Sequence, residues 1–109
     1  MLDKEKLLTR FIRYTDFETT SIDEAKTFPS SDKQLVFARF LAEELKSVGS
    51  SDVFLDEKGY VLATLPANDS GGSPVIGLIA HMDTSCEASG ANIKPQLHAC
   101  YQGDSLVLD

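Results

Sequence analysis

A chain of 109 residues has room for one domain or for part of a larger one, and 42% hydrophobic with 25% charged residues argues against wholesale disorder. Seventeen acidic against ten basic residues give a net charge of −7, which disfavours unassisted binding to nucleic acid or to an anionic membrane and reads as a solvated acidic surface. Two cysteines, Cys86 and Cys100, make no disulfide framework and lack Cys-x-x-Cys spacing, and "MLDKEKLLTRFIRY" carries no long apolar run, so the expectation is a cytoplasmic protein with reduced thiols, without a secretory signal or a membrane span.

The first segment predicts a helix. Asp3 can cap it, Leu7, Leu8, Phe11 and Ile12 recur at helical spacing, and the pattern fades near Thr15. Residues 16–31, "DFETTSIDEAKTFPSS", have neither helical nor strand period and form a long connection, of the kind often found near a site. Ser31-x-x-Gln34 is a capping-box pattern opening a second helix. Phe37, Leu41, Leu45 and Val48 fall on its apolar face, widened by Val36 and Phe40, and Gly49 supplies the residue that ends it. The period then changes to two. Residues 52–68 read as two strands joined at "DEKG", with Gly59 at the turn. "DSGGSP" (69–74) is a solvent-facing loop, and "PVIGLIAH" (74–81) is a short apolar run expected of a strand covered on both faces. The remainder is loop-like, with one closing strand expected at Ser105–Leu108. Ending on Leu106-Val107-Leu108-Asp109, within that strand, the sequence looks cut. Helices packed on a sheet, in the α/β or α+β manner, is the architecture these elements predict.

Chemistry concentrates at "GLIAHMDTS" (77–85). A strand places residues i and i+2 on one face, so His81 and Asp83 can point the same way, beyond the end of an apolar strand where open α/β sheets bind ligands. A neutral imidazole is a common zinc ligand through one nitrogen, and its other nitrogen usually donates to a carboxylate or carbonyl. Asp83 is thus an orienter of His81 or a ligand itself. The spacing alone is a weak signal, since a histidine at a strand end is more often a hydrogen-bonded edge residue. Other residues carry less. His98 reads as a surface histidine, and Cys86, although near His81, as a small buried or half-buried thiol. Ser85 and Ser89 lack a Gly-x-Ser-x-Gly frame, and "SGGS" lacks the lysine of a phosphate-binding loop. Glu43 and Glu44 lie off the apolar stripe and are expected to face solvent.

Taken together, "LLTRFIRYTDFETTS", "FPSSDKQ", "EKGYVLATLPAN", "IGLIAHMDTS", "GANIKPQ" and "YQGD" resemble the N-terminal part of the peptidase T family, tripeptide aminopeptidases among the co-catalytic zinc exopeptidases. The likeness covers essentially the whole chain, and "ATLPAN" followed by "AHMDTS" is the specific part. Related dipeptidases and carboxypeptidases share the His-x-Asp without this flanking text. The resemblance implies helices on a mixed sheet, with residues 1–109 as the N-terminal portion of a peptidase catalytic domain. It implies a two-zinc site in which His81 binds one metal and Asp83 is the catalytic-site aspartate supporting that histidine, and tripeptides as substrates. The family's remaining ligands, its glutamate pair and its lid and dimerisation domain have no matching position here. A stable zinc site takes three or four protein ligands. The isolated chain is therefore expected to bind zinc weakly at most and to lack peptidase activity. Two alternatives stand beside this: a dipeptidase or carboxypeptidase of the same group, and a non-catalytic piece that forms a homo-oligomer through an uncovered sheet edge.

Overall fold

Asp3 opens the first helix by accepting the Lys6 amide on its side chain at 3.1 Å, and α1 runs Lys4–Tyr14 in the computed structural model, which describes residues 3–107. No residue of α1 is fully buried; Leu8 is half-buried, whereas Leu7, Phe11 and Ile12 are exposed. The expected stripe exists as a pattern and largely lacks a surface to cover it. Only the end of the helix is anchored.

The second helix, α2, runs Asp32–Ser47. Ser31 caps it by accepting from the Lys33 amide at 3.3 Å, while the Gln34 amide donates to the Ser31 carbonyl. The reciprocal capping box is not formed. Gln34 is buried and turns its side-chain amide the other way, to Thr19 O at 3.3 Å and Ser30 Oγ at 3.2 Å. The C-terminus is a Schellman closure: Ser50 N donates to Leu45 O, Gly49 N donates to Lys46 O, and Gly49 takes φ +91°. The face that is buried comprises Gln34, Phe37, Ala38 and Ala42, with Leu41 and Leu45 half-covered; Val36 and Val48 are exposed. Small Ala38 and Ala42 let the hairpin come close.

That hairpin is β1 (Ser51–Leu55) and β2 (Val61–Thr64), antiparallel, with Phe54 opposite Leu62 and Leu55 opposite Val61. A bulge between Ser51 and Phe54 places Asp52 at φ +50°. The "DEKG" turn forms as its residues dictate. Asp56 Oδ1 accepts the amides of Lys58 and Tyr60 at 2.9 and 2.8 Å, and Gly59 supplies φ +90°. Both strands lie on α2. Val53 and Leu55 lean toward it half-buried, while Phe54 and Leu62 share the exposed outer face.

The buried apolar side chains, Phe37, Ala38 and Ala42, all belong to α2, and Phe37 joins a cluster at the end of α1. Tyr14, Phe17, Phe37 and Phe40 form one aromatic cluster, with Phe17 centroids 4.9 and 4.8 Å from those of Phe37 and Phe40, and the Arg13 guanidinium stands 4.5 Å over Phe40. Glu44 clamps the junction, accepting Arg10 Nε at 3.0 Å and the Tyr14 hydroxyl. Its side chain is only 18% exposed, so Glu44 does not face solvent as its place off the stripe predicts; Glu43 does. Burial first, and the hydrogen bond to Glu44 second, push the Tyr14 phenol up to about 12.

Beyond Thr64 the pattern of burial stops. Residues 74–81 belong to no ladder among the described residues, and Val75, Ile76, Leu78 and Ile79 are almost wholly exposed. A strand is held by hydrogen bonds to a neighbour and by covered faces, and this run has neither. The expected closing strand is likewise not formed over 105–107, and Leu108 lies outside the described residues. The total surface, 9491 Å², compares with about 6,000 Å² for a folded monomer of this mass. The described residues form an α/β arrangement of two helices and a two-stranded antiparallel sheet, with much of their apolar surface unpartnered.

Candidate metal centre

One contact brings the second part of the chain back to the first. Thr20 and Thr84 form an isolated parallel bridge, in which Ser21 N donates to Thr84 O at 2.9 Å and Thr84 N donates to Thr19 O at 3.2 Å. Thr20 Oγ1 accepts the Gly90 amide at 3.1 Å. A side chain at position 90 would meet that oxygen at 2.5 Å, so glycine is what permits the approach. Thr19 itself is buried, and its carbonyl also takes the Gln34 amide from α2. The 16–31 connection is therefore seated on the helix, and residues 81–90 are seated on the connection.

His81 and Asp83 lie just before Thr84 of this bridge. His81 Nδ1 lies 3.0 Å from Asp83 Oδ1 and 2.9 Å from the Asp83 carbonyl oxygen. The second carboxylate oxygen, Oδ2, accepts the Ser21 hydroxyl at 2.6 Å. The Ser21 hydrogen bond first, and that from His81 second, hold the Asp83 carboxyl below the usual carboxylate range. An ionised carboxylate and a carbonyl only accept, so Nδ1 is the nitrogen that carries the proton. In the neutral ring, Nε2 then keeps a free lone pair. The His81 side chain is 84% exposed, which leaves that nitrogen open to a ligand. Zinc fits this donor: an exposed imidazole nitrogen, with its partner nitrogen held by a carboxylate, is the arrangement of a zinc-binding histidine. The fit is that of one ligand. Among the described residues no group of three or more His, Cys, Asp or Glu side chains converges.

The other candidates stay apart from this pair. His98 is exposed, as expected. Cys86 is an exposed free thiol rather than a buried or half-buried one, since the bridge holds the backbone around it without covering its side chain; Cys100 is exposed and free as well. Ser85 accepts the Glu87 amide and Ser89 the Ala91 amide in local turns. Two shallow hollows, about 280 Å³ beside Arg13, Phe40 and Glu44 and about 170 Å³ beside Phe17, Lys33 and Val36, lie along the helices and include neither His81 nor Asp83. Ser21 is the residue that spacing did not single out. It lies 62 positions from Asp83, in a stretch of Thr and Ser where no one hydroxyl is distinguished.

No protein-family model matches the chain. Curated relatives do. It is 46% identical over 106 residues to peptidase T of Bacillus mycoides strain KBAB4, 51% over 104 residues to peptidase T of Halothermothrix orenii, and 43% over 106 residues to peptidase T of Bacillus cereus strain G9842. These alignments take in 95–97% of this chain and 26% of each relative, so the chain spans about a quarter of the length of the proteins it matches. Along nearly its whole length, the chain is similar to one segment of these peptidase T sequences.

Proposed function

We propose that residues 1–109 are the N-terminal portion of the catalytic domain of a zinc-dependent aminopeptidase that releases the N-terminal residue of tripeptides. The observation that carries the reading is the Asp83–His81 contact, which favours the tautomer with its proton on Nδ1 and leaves Nε2 for a metal. The peptidase T relatives supply the reaction class. In this reading His81 is a ligand and Asp83 holds it in the binding tautomer. A two-zinc centre, when bound, activates a water and polarises the scissile carbonyl. The remaining ligands come from a protein of the relatives' length, and in such a protein the 74–81 run becomes a covered strand of a mixed sheet. No helix among the described residues is long and apolar enough to cross a membrane, and two free thiols suit a reducing cytoplasm.

The test is direct. A protein of the relatives' length carrying this segment is expected to release the first residue of a tripeptide, to contain zinc, and to lose both on His81→Ala. Release of the C-terminal residue instead, or hydrolysis of dipeptides alone, would move the reading to the carboxypeptidases or dipeptidases of the same group. The isolated 109-residue chain is expected to show at most weak zinc binding by calorimetry and no hydrolysis. Tight binding lost in His81→Ala would mean that a second copy completes the site.

A further inference from the structure

We propose that Ser21 is a positioning residue for His81: its hydroxyl holds Asp83 Oδ2, so that Oδ1 meets Nδ1 and the ring is kept as the Nδ1–H tautomer with Nε2 outward. The inference deepens the reading of His81 as a metal ligand and rests on it. The starting point is that the His81–Asp83 pair cannot hold itself. Both side chains are substantially exposed, at 84% and 47%, and an exposed pair two residues apart is worth little and is free to swing. What restrains the carboxylate is its other oxygen, 2.6 Å from Ser21 Oγ.

Ser21 is itself fixed from behind. Its amide donates to Thr84 O, and the residue two places before it, buried Thr19, receives Thr84 N and the Gln34 side chain of α2. Orientation thus passes from a buried helix residue to the bridge, from the bridge to the Ser21 hydroxyl, and from there to Oδ2 of the Asp83 carboxylate, whose Oδ1 faces His81. A charge-assisted hydrogen bond to one oxygen fixes the rotation of the whole group, which no contact from His81 alone would do. One competitor is explicit. The Asp83 carbonyl lies 2.9 Å from Nδ1 and could hold the tautomer without the carboxylate. If it does, Ser21 is dispensable to the ring.

Nitrogen-15 spectra of the imidazoles separate these cases, with His98 assigned through His98→Gln. The measurement is made at a pH where the rings are neutral, on the chain and on Ser21→Ala, Ser21→Thr and Asp83→Asn. Hydrogen exchange at the Thr84 and Ser21 amides reads the bridge in the same samples. The expected result is Nδ1–H for His81 in the native chain, and a shift of about three- to tenfold toward Nε2–H in Ser21→Ala with bridge exchange unchanged. Ser21→Thr, which keeps a hydroxyl, restores the native ratio, and Asp83→Asn shifts it as Ser21→Ala does. An unmoved tautomer in Ser21→Ala overturns the proposal, and so does a tautomer that moves only where the bridge also opens. Zinc content of a protein of the relatives' length distinguishes the two claims. Zinc undiminished there by His81→Ala, with the Ser21 effect intact, would sink the ligand reading and leave the positioning role standing. Zinc lost on His81→Ala with no Ser21 effect would sink the positioning role alone.

Discussion

Residues 3–64 and residues 65–107 differ in composition, since all six phenylalanines lie in the first, and they differ further in what surrounds their apolar side chains. Among the described residues, the first part holds all of the buried side chains, Thr19, Ser31, Gln34, Phe37, Ala38 and Ala42. The second contains an apolar run, Val75 to Ile79, as hydrophobic as anything on α2, yet Val75 and Ile79 are about as exposed as isolated residues. Helix α2 makes its own backbone hydrogen bonds and needs only one covered stripe. A strand makes none of its own and depends on neighbours for both its ladder and its burial. The lesson is that the same hydrophobicity yields a core element in one case and an uncovered run in the other. The exception within the second part, 81–90, is held because one parallel bridge supplies a partner.

The contrast is sharpest at Phe37, which touches Tyr14, Phe17 and Phe40. Phe37→Ala is expected to cost about 3–5 kcal/mol, enough to unfold much of a domain of this size, and urea denaturation would read it. A loss under about 1 kcal/mol would mean that the aromatic cluster is not the core. Glu44→Ala is next. It strips the acceptor from a partly buried Tyr14 hydroxyl and frees Arg10, for an expected loss of about 1–3 kcal/mol in the same assay.

Tyr14 also gives this region a pH signature. Its folded-state pKa is raised from 10.0 to about 12, so the neutral phenol is favoured by folding. The stabilisation is complete below the unfolded value and is lost as pH rises from 10 through 12. After allowance for its partial exposure the effect is on the order of 1 kcal/mol. Urea midpoints measured across that window should fall in the native chain and fall less in Tyr14→Phe. Equal slopes would show that the phenol is not coupled to folding. At the docking point of the second part, Gly90→Ala forces a methyl group against Thr20 Oγ1 and breaks the Gly90 amide's bond to it. The expected cost is about 1 kcal/mol and local, read as faster exchange at Thr84 and Ser21 with the global midpoint nearly unchanged.

Much of the first region is legible residue by residue, because its signals are local. Asp3, Ser31, Gly49, Asp56 and Gly59 each act within five residues of themselves, through caps and turns that leave a mark in sequence. The His81-x-Asp83 contact is legible for the same reason, being two residues long. What sequence reading misses is long-range. Gln34 reads as a capping residue and instead reaches Thr19, 15 positions away. Glu44 reads as solvated and instead receives Arg10, 34 positions away. Ser21 has no local mark at all. The 74–81 strand is misjudged by a different route: a period and a composition state that a segment can be a strand, and only a neighbour makes it one.

The smallest expected effect tests the comparison from its other side. Ile79 is fully exposed, so Ile79→Ser removes no buried surface and leaves no cavity. Its effect on the urea midpoint is expected to stay within about 0.5 kcal/mol, against the several expected for Phe37→Ala. The same substitution has a second consequence, because clustered exposed aliphatic side chains promote association between copies. Sedimentation of the native chain and of the variant at matched concentration therefore accompanies the denaturation curves. An unchanged midpoint with reduced association would show that the run promotes association without contributing to the fold. A midpoint that drops by more than about 1 kcal/mol would mean that Ile79 is buried in the folded chain, and the division at residue 64 would have to be redrawn.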